Sequence, residues 1–257
     1  MRHRLREWSS ALKSAVGVRL LGLLLIIVGC CLGFVILADE VSEKETQSFD
    51  ESVELALRRP ENHALPIGPV WLREAARDVT ALGGVTVLTL VTLAVCGFLA
   101  LVRHFRSLLL VLGSTLGGTV LNTLLKDAFA RPRPTVVPHL TEASSSSFPS
   151  GHAMLSAIVY LTLGALMAQL TERRWLKVYV LGVSLALSFL VGLSRVFLGV
   201  HYLTDVLGGW MAGLAWALFS ALLARGVKQR SPGLREEVRQ GAEVPGEAGA
   251  PPGKAPG

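Results

Sequence analysis

The sequence predicts an all-α polytopic membrane protein, a bundle of six transmembrane helices, and three observations carry that prediction. Hydrophobic residues make up 51% of the chain against 17% charged, and the mean hydropathy of +0.50 is high for a protein that must face water on every side. Six apolar runs are each long enough, or nearly so, to cross a hydrocarbon core of about 30 Å as a helix. Only Asp205 places a formal charge inside any of them. With 257 residues, no room remains for a large separate soluble domain.

The first run, Leu20–Ala38, follows a basic N-terminus (residues 1–19) containing Arg2, Arg4 and Arg6. Ile36 and Ala38 loosely suit a signal-peptide cleavage site. The run of 19 residues exceeds the usual length of such a segment, so an uncleaved anchor is the preferred reading. Residues 39–78 form a polar excursion. Its Ser48-Phe-Asp-Glu51 start resembles a capping box and suggests a short helix lying at the interface with Trp71 as an anchor, or else a solvated loop. No chemistry is assigned to it. The remaining runs are Val79–Val102, Ser107–Leu125, Ala153–Leu170, Val178–Leu193 and Leu203–Ala224, which makes residues 20–230 one six-helix membrane domain. From Ser231 onward 11 of 27 residues are Gly or Pro, the composition of a disordered tail. Cys30, Cys31 and Cys96 fall in apolar runs without metal-ligand spacing and are expected to be small buried side chains.

Six crossings place both termini on one side. Thirteen Lys and Arg residues flank the helix ends on that side against nine on the other, where ten acids also fall in the first loop. The bias assigns both termini to the cytoplasm of a multi-pass plasma-membrane protein. The net charge of +6, split among helix ends, suits anionic headgroups better than nucleic acid.

This topology brings two distant loops to the extracytoplasmic face. Lys126 begins where the third run ends, His152 opens the fourth, Ser194 and Arg195 close the fifth, and His201 and Asp205 open the sixth. Lys126, Arg133 and Arg195 near an apolar boundary are costly unless an anion offsets them, and phosphate matches the arginine fork. Ser150, Gly151 and His152 stand at a helix N-terminus, where free N–H groups and the dipole favour a negative ligand, and Gly151 lets the backbone approach closely. His201 and Asp205, four residues apart, can share a helical face. The carboxylate then fixes the tautomer and stabilises the cationic ring, leaving the other nitrogen free to attack phosphorus. His152 can protonate a leaving oxygen.

Each fragment alone has a plainer reading. Pro149-Ser150-Gly151 is a turn, and Lys126 with Arg133 could be snorkelling residues flanking a helix. Their company favours chemistry. His63, His104 and His139 lack such partners and are read as ordinary loop residues, Asn122 and Gln169 as interhelical hydrogen-bond donors, and Ser144–Ser147 as a flexible loop.

Lys126-x6-Arg133-Pro134, Pro149-Ser-Gly-His152 and Ser194-Arg195-x5-His201-x3-Asp205 together resemble the three-part signature of the type 2 phosphatidic acid phosphatase family, with all eleven specified positions present in order. The resemblance covers Lys126–Asp205 by motif and the six-span layout by architecture. It implies that His201 is the nucleophile forming a phosphohistidine, that Asp205 orients it and that His152 is the general acid. Lys126, Arg133, Ser150, Gly151 and Arg195 would bind the phosphoryl oxygens. It implies no cofactor and no metal, the cations doing the work that Mg²⁺ does elsewhere. The implied partners are a phosphorylated membrane lipid and the bilayer itself. By family analogy, undecaprenyl diphosphate comes first among substrates, with phosphatidylglycerophosphate and phosphatidic acid following. A lipid phosphotransferase using the same histidine, or a noncatalytic lipid-binding or transport protein, are the alternatives.

Overall fold

The computed structural model describes residues 2–141 and 145–229, with side chains described for 17–18, 20–141 and 145–224. The expected tail from Ser231 lies outside the described residues. By its internal packing the chain divides into Met1–Ala221 and Leu222–Gly257.

In chain order the elements are α1 (Arg2–Ser42), α2 (Gln47–Ala56), a short antiparallel pair β1 (Arg58–Arg59) and β2 (Asn62–Pro66), α3 (Val70–Ala81), α4 (Val85–Leu101), α5 (Phe105–Phe129), α6 (Gly151–Gln169), α7 (Arg174–Phe197) and α8 (Leu203–Gln229). Leu20–Ser42 of α1, α5, α6, α7 and Leu203–Ala224 of α8 are each long and apolar enough to cross a membrane. α3 and α4, bent by 46° at the break between them, meet the same criterion only when taken together, and as one broken span they make six.

That break corrects the continuous second run expected from the sequence. The helix stops at Ala81 and restarts at Val85, with Gly84 as an extended N-cap. Gly83 explains why. A Cβ on it would stand 2.3 Å from Val191 Cγ1 and 3.3 Å from the His152 carbonyl oxygen, so only glycine lets this segment lie against α6 and α7. The result is a bend placed beside His152.

α6 is the centre of the bundle: Ala153, Met154, Ile158 and Val159 are essentially inaccessible. Leu88 of α4 joins Met154, Leu155, Ile158 and Val159 in a core, against which Leu121 and Leu125 of α5 and Trp216 of α8 pack. Polar groups inside the bundle are paired between helices. Ser114 Oγ lies 3.3 Å from Thr162 Oγ1, Trp216 Nε1 donates to the Ser114 carbonyl and Trp210 Nε1 to that of Ser188. α1 lies outermost, its apolar side chains facing away from the protein as lipid-contacting surface. Near its C-terminal end Phe34, Ala38 and Val41 close on Phe148. Cys31 is exposed and Cys30 and Cys96 are half-buried, so the expectation of buried thiols fails: these apolar helices turn them toward lipid rather than a protein core.

α6 and α8 approach closely through glycines. A Cβ at Gly209 would meet the Ser150 carbonyl oxygen at 2.7 Å and Ala153 Cβ at 3.0 Å, and one at Gly213 would meet the Met154 carbonyl oxygen at 2.7 Å. Gly209→Ala must push the start of α6 away from α8, at a cost of about 1–3 kcal/mol. The variant should show a lowered thermal midpoint in detergent together with reduced activity, since Ser150 precedes His152.

The loop between α1 and α3 departs from expectation. The helix begins after Thr46, so Ser48 lies inside it and the capping box does not form. The short helix, α2, packs on the ends of other helices. It buries Asp50 and Glu54 completely, with Val53 and Leu57 packed on Ala153, Val196 and Val206. Hydrophobic residues on one face of α2 thus cover the outer ends of α6, α7 and α8, while Trp71, at the start of α3, is exposed.

Candidate active site

Four helix ends meet around one cavity of 940 Å³, lined among others by Asn122, Lys126, Arg133, Gly151, His152, Arg195 and His201. Of the eight residues singled out in the sequence, six therefore reach a common space. Asp205 and Ser150 do not line it: Asp205 is fully buried behind His201, and Ser150 is fully buried beneath the start of α6.

Each position has a local cause. α5 runs four residues past the expected end, so Lys126 sits in its last turn, and Ala130 closes the helix in the left-handed region at φ 44°. Lys126 Nζ donates to Ser145 Oγ at 3.2 Å and to the Ser146 carbonyl, while Ser146 Oγ returns a bond to the Lys126 carbonyl. Ser147 is fully buried, its N–H donating to the Arg131 carbonyl and its Oγ to that of Pro132. The flexible loop expected at Ser144–Ser147 is therefore, over Ser145–Ser147, hydrogen-bonded to the segment after α5; Ser144 lies outside the described residues.

α6 begins at Gly151, two residues earlier than the apolar run suggested, with Ser150 in the extended N-cap conformation. Gly151 and His152 thus occupy the first helical positions, where N–H groups have no intrahelical acceptor. Ser150 Oγ makes no cap bond and has no partner among the described residues. Ser150 is instead fixed through its backbone N–H, which donates to the Asp205 carbonyl at 2.9 Å, tying α6 to α8.

His201 precedes α8 by two residues rather than lying on it. The turn from α7 passes through Gly199 at φ 71°, a left-handed position where a side chain would also press on Arg58 and Val137. The pairing with Asp205 survives this change, His201 Nδ1 standing 3.4 Å from Asp205 Oδ2. Arg133 Nη1 lies 3.2 Å from His201 Nε2 and donates to the Val200 carbonyl at 2.6 Å. Because a guanidinium can only donate, Nε2 is the acceptor, and the ring proton belongs on Nδ1 facing Asp205. Burial, reinforced by Arg133, Arg195 and Lys126, holds the His201 imidazole well below its ordinary pKa. At neutral pH it is uncharged, with a lone pair on Nε2.

Arg195 Nη1 donates to Thr80 Oγ1 of α3 at 3.1 Å, and its Nε has no partner. Lys126, Arg133 and Arg195 form no ion pair among the described residues. Three cations, two imidazoles and helix-terminal N–H groups facing one cavity suit a multiply charged anion, and Arg195 Nε, a partnerless buried donor of a cavity-lining side chain, is what such an anion would satisfy. Among the described residues no group of three His, Cys, Asp or Glu side chains is arranged to hold a metal ion.

Sequence reasoning missed three participants. Asn122, expected as an interhelical donor, lines the cavity next to Gly151, and its Oδ1 is buried without a partner. Arg131 and Asp50 meet Asp205 in a buried network. Only Arg131 had a signal, lying between Lys126 and Arg133. His139 Nε2 lies 2.8 Å from the Pro134 carbonyl oxygen, His104 is exposed at the residue before α5, and His63 is exposed on β2 rather than in a loop.

Comparison with known proteins adds independent findings. Residues 107–228 match the model of the PAP2 superfamily. The chain is 36% identical over 194 residues to phosphatidylglycerophosphatase B of Bacillus subtilis, covering 73% of this chain and 89% of that protein. It is also 36% identical over 91 residues to an undecaprenyl-diphosphatase of Sulfolobus acidocaldarius, covering 35% of this chain and 38% of that one. Among solved structures, the transmembrane PAP2-type phosphatidylglycerolphosphate phosphatase from Bacillus subtilis superimposes with a TM-score of 0.67 at 31% identity, over 81% of this chain and 98% of that one.

Proposed function

The chain belongs to the PAP2 superfamily of membrane lipid phosphatases, and from that premise we propose that it removes phosphate from a membrane lipid by a two-step displacement at His201. His201 Nε2 attacks phosphorus, and the bond from phosphorus to the lipid oxygen breaks. His152 supplies the proton that the departing oxygen takes up. Phosphorylation makes the His201 ring cationic, and Asp205 stabilises it through Nδ1–H. Lys126, Arg133, Arg195 and the N–H groups at Gly151 and His152 hold the equatorial oxygens, and Ser150, outside the cavity, fixes the start of α6 through its bond to Asp205. Water, deprotonated by the now neutral His152, then attacks phosphorus, the P–N bond breaks and orthophosphate leaves. A resident metal has no step in this scheme. The observation that carries the proposal is the meeting of His201, backed by Asp205, with His152 and three cations in a single cavity.

The substrate keeps its chain in lipid while the headgroup enters the cavity. Phosphatidylglycerophosphate and undecaprenyl diphosphate are the two substrates to set side by side, because relatives bear those names. The charge bias of the loops supports a cavity on the extracytoplasmic side, with both termini in the cytoplasm.

Purified protein given either lipid is expected to release orthophosphate with EDTA present and to be inhibited by vanadate, which adopts the five-coordinate geometry of the transition state. Loss of turnover in EDTA, restored by Mg²⁺, would overturn the metal-independent scheme. Phosphate appearing only on an added lipid acceptor would make the protein a phosphotransferase.

A further inference from the structure

Asp205 is held from behind by residues at positions the three motifs leave unspecified, or outside them altogether. Its Oδ2 accepts the Tyr202 backbone N–H at 2.9 Å and faces His201, while its Oδ1 takes a 2.6 Å bond from Arg131 Nη1. The other arm of Arg131, Nη2, donates to Asp50 Oδ2 of α2 at 2.9 Å. Thr204 closes the set, its N–H donating to Asp50 Oδ1 at 3.1 Å and its hydroxyl to Asp50 Oδ2, while Arg131 Nη1 also donates to the hydroxyl at 2.9 Å. The guanidinium carbon lies 4.4 Å from the centre of the Tyr202 ring, whose hydroxyl accepts from Gln47 of α2. Asp50 and Asp205 are fully buried and Arg131 nearly so.

We propose that Arg131 and Asp50 are positioning residues of the reaction, through which α2 fixes both the orientation and the net charge of Asp205; the proposal rests on the function read above. An Asp205–Arg131 pair alone would be neutral and would offer little to a cationic phosphohistidine. Asp50 restores one net negative charge to the set Asp50–Arg131–Asp205, in a region where burial makes that charge count. Glu54, also on α2 and fully buried, does not add a second: burial pushes its carboxyl up to about 8, leaving it protonated at neutral pH. Arg58, the remaining buried charge beside it, donates to the Leu57 and Phe197 carbonyls. Asp50 is absent from the cavity wall; Arg131 is part of it, but its guanidinium donates away from the cavity centre, to Asp50, Thr204 and Asp205. Their effect must pass through Asp205.

The test is a double-mutant cycle on dioctanoyl phosphatidic acid in detergent micelles. In the otherwise native chain Asp50→Asn should lower kcat about tenfold and Arg131→Gln about a hundredfold, with KM held within about twofold. In an Asp205→Asn background, neither should cost more than about a further twofold, because the group they act through is already lost. Multiplying losses in that background, a change in KM in place of kcat, or full activity in Asp50→Asn would each overturn the proposal. Thermal melts accompany every variant. Should Arg131→Gln fail to fold, the nearly isosteric Asp50→Asn decides alone. His201→Ala serves as the separate control: activity there would remove the reading of the reaction itself, whereas an inactive His201→Ala beside multiplying losses removes only the role of α2.

Discussion

His201→Ala is expected to abolish phosphate release by about 10⁴-fold or more while leaving the fold intact. The size follows from what the substitution removes. Among the described residues lining the cavity, His201 alone combines a fixed tautomer, a carboxylate behind the ring and an Nε2 lone pair that faces the Arg133 guanidinium. Without it no covalent intermediate forms, and water would have to attack phosphorus directly in a site arranged for a ring nitrogen. The fold should tolerate the change because the bonds that join the helix ends run elsewhere: Ser150 N–H to Asp205, Arg131 to Asp50 and Asp205, and Tyr202 N–H to Asp205. The measurement is orthophosphate release, paired with a thermal melt and trapping of acid-labile phosphoprotein. Turnover close to the native rate in a folded His201→Ala protein would remove the mechanism.

A second large effect belongs to His152, and it should depend on the leaving group. An alkoxide leaving from phosphatidic acid needs a proton in the transition state; a nitrophenolate does not. His152→Ala should therefore lower kcat/KM on phosphatidic acid by about 10²–10⁴-fold and on p-nitrophenyl phosphate by less than about tenfold. Because kcat/KM reports only the steps up to departure of the leaving group, slow hydrolysis of the phosphoenzyme cannot mimic the difference. Equal losses on both substrates would assign His152 to binding instead. The bend at Gly83, whose backbone lies against His152, gives this residue a fixed wall on the α3–α4 side.

The parts of this architecture that follow from periodicity and local chemistry were legible in the sequence. Long apolar runs announced the crossings, and alternation of sides forced Lys126, Arg133, His152, Arg195 and His201 to one end, where six of the eight expected residues now line a single cavity. Illegible were features that depend on who packs against whom. Gly83 reads as one more small residue of an apolar run, but Val191 and His152 occupy the space that a Cβ there would need. Asp50 was one of ten acids in a polar loop, and nothing in its own neighbourhood distinguishes it from a solvated residue. Only the docking of α2 on the ends of α6–α8, driven by Val53 and Leu57, buries it opposite Arg131. The serine stretch read as loose because serine offers no hydrophobic anchor. Its order comes from Lys126 and the segment Arg131–Pro132, which supply its hydrogen-bond partners.

Lys126 donates to oxygens of Ser145 and Ser146, and Arg133 to the Ser145 carbonyl. An arriving phosphoryl group must exchange against those bonds, and a departing orthophosphate hands them back. Affinity for the spent ion is lowered by whatever the serine oxygens contribute, so the same loop that steadies the cations also works against product inhibition.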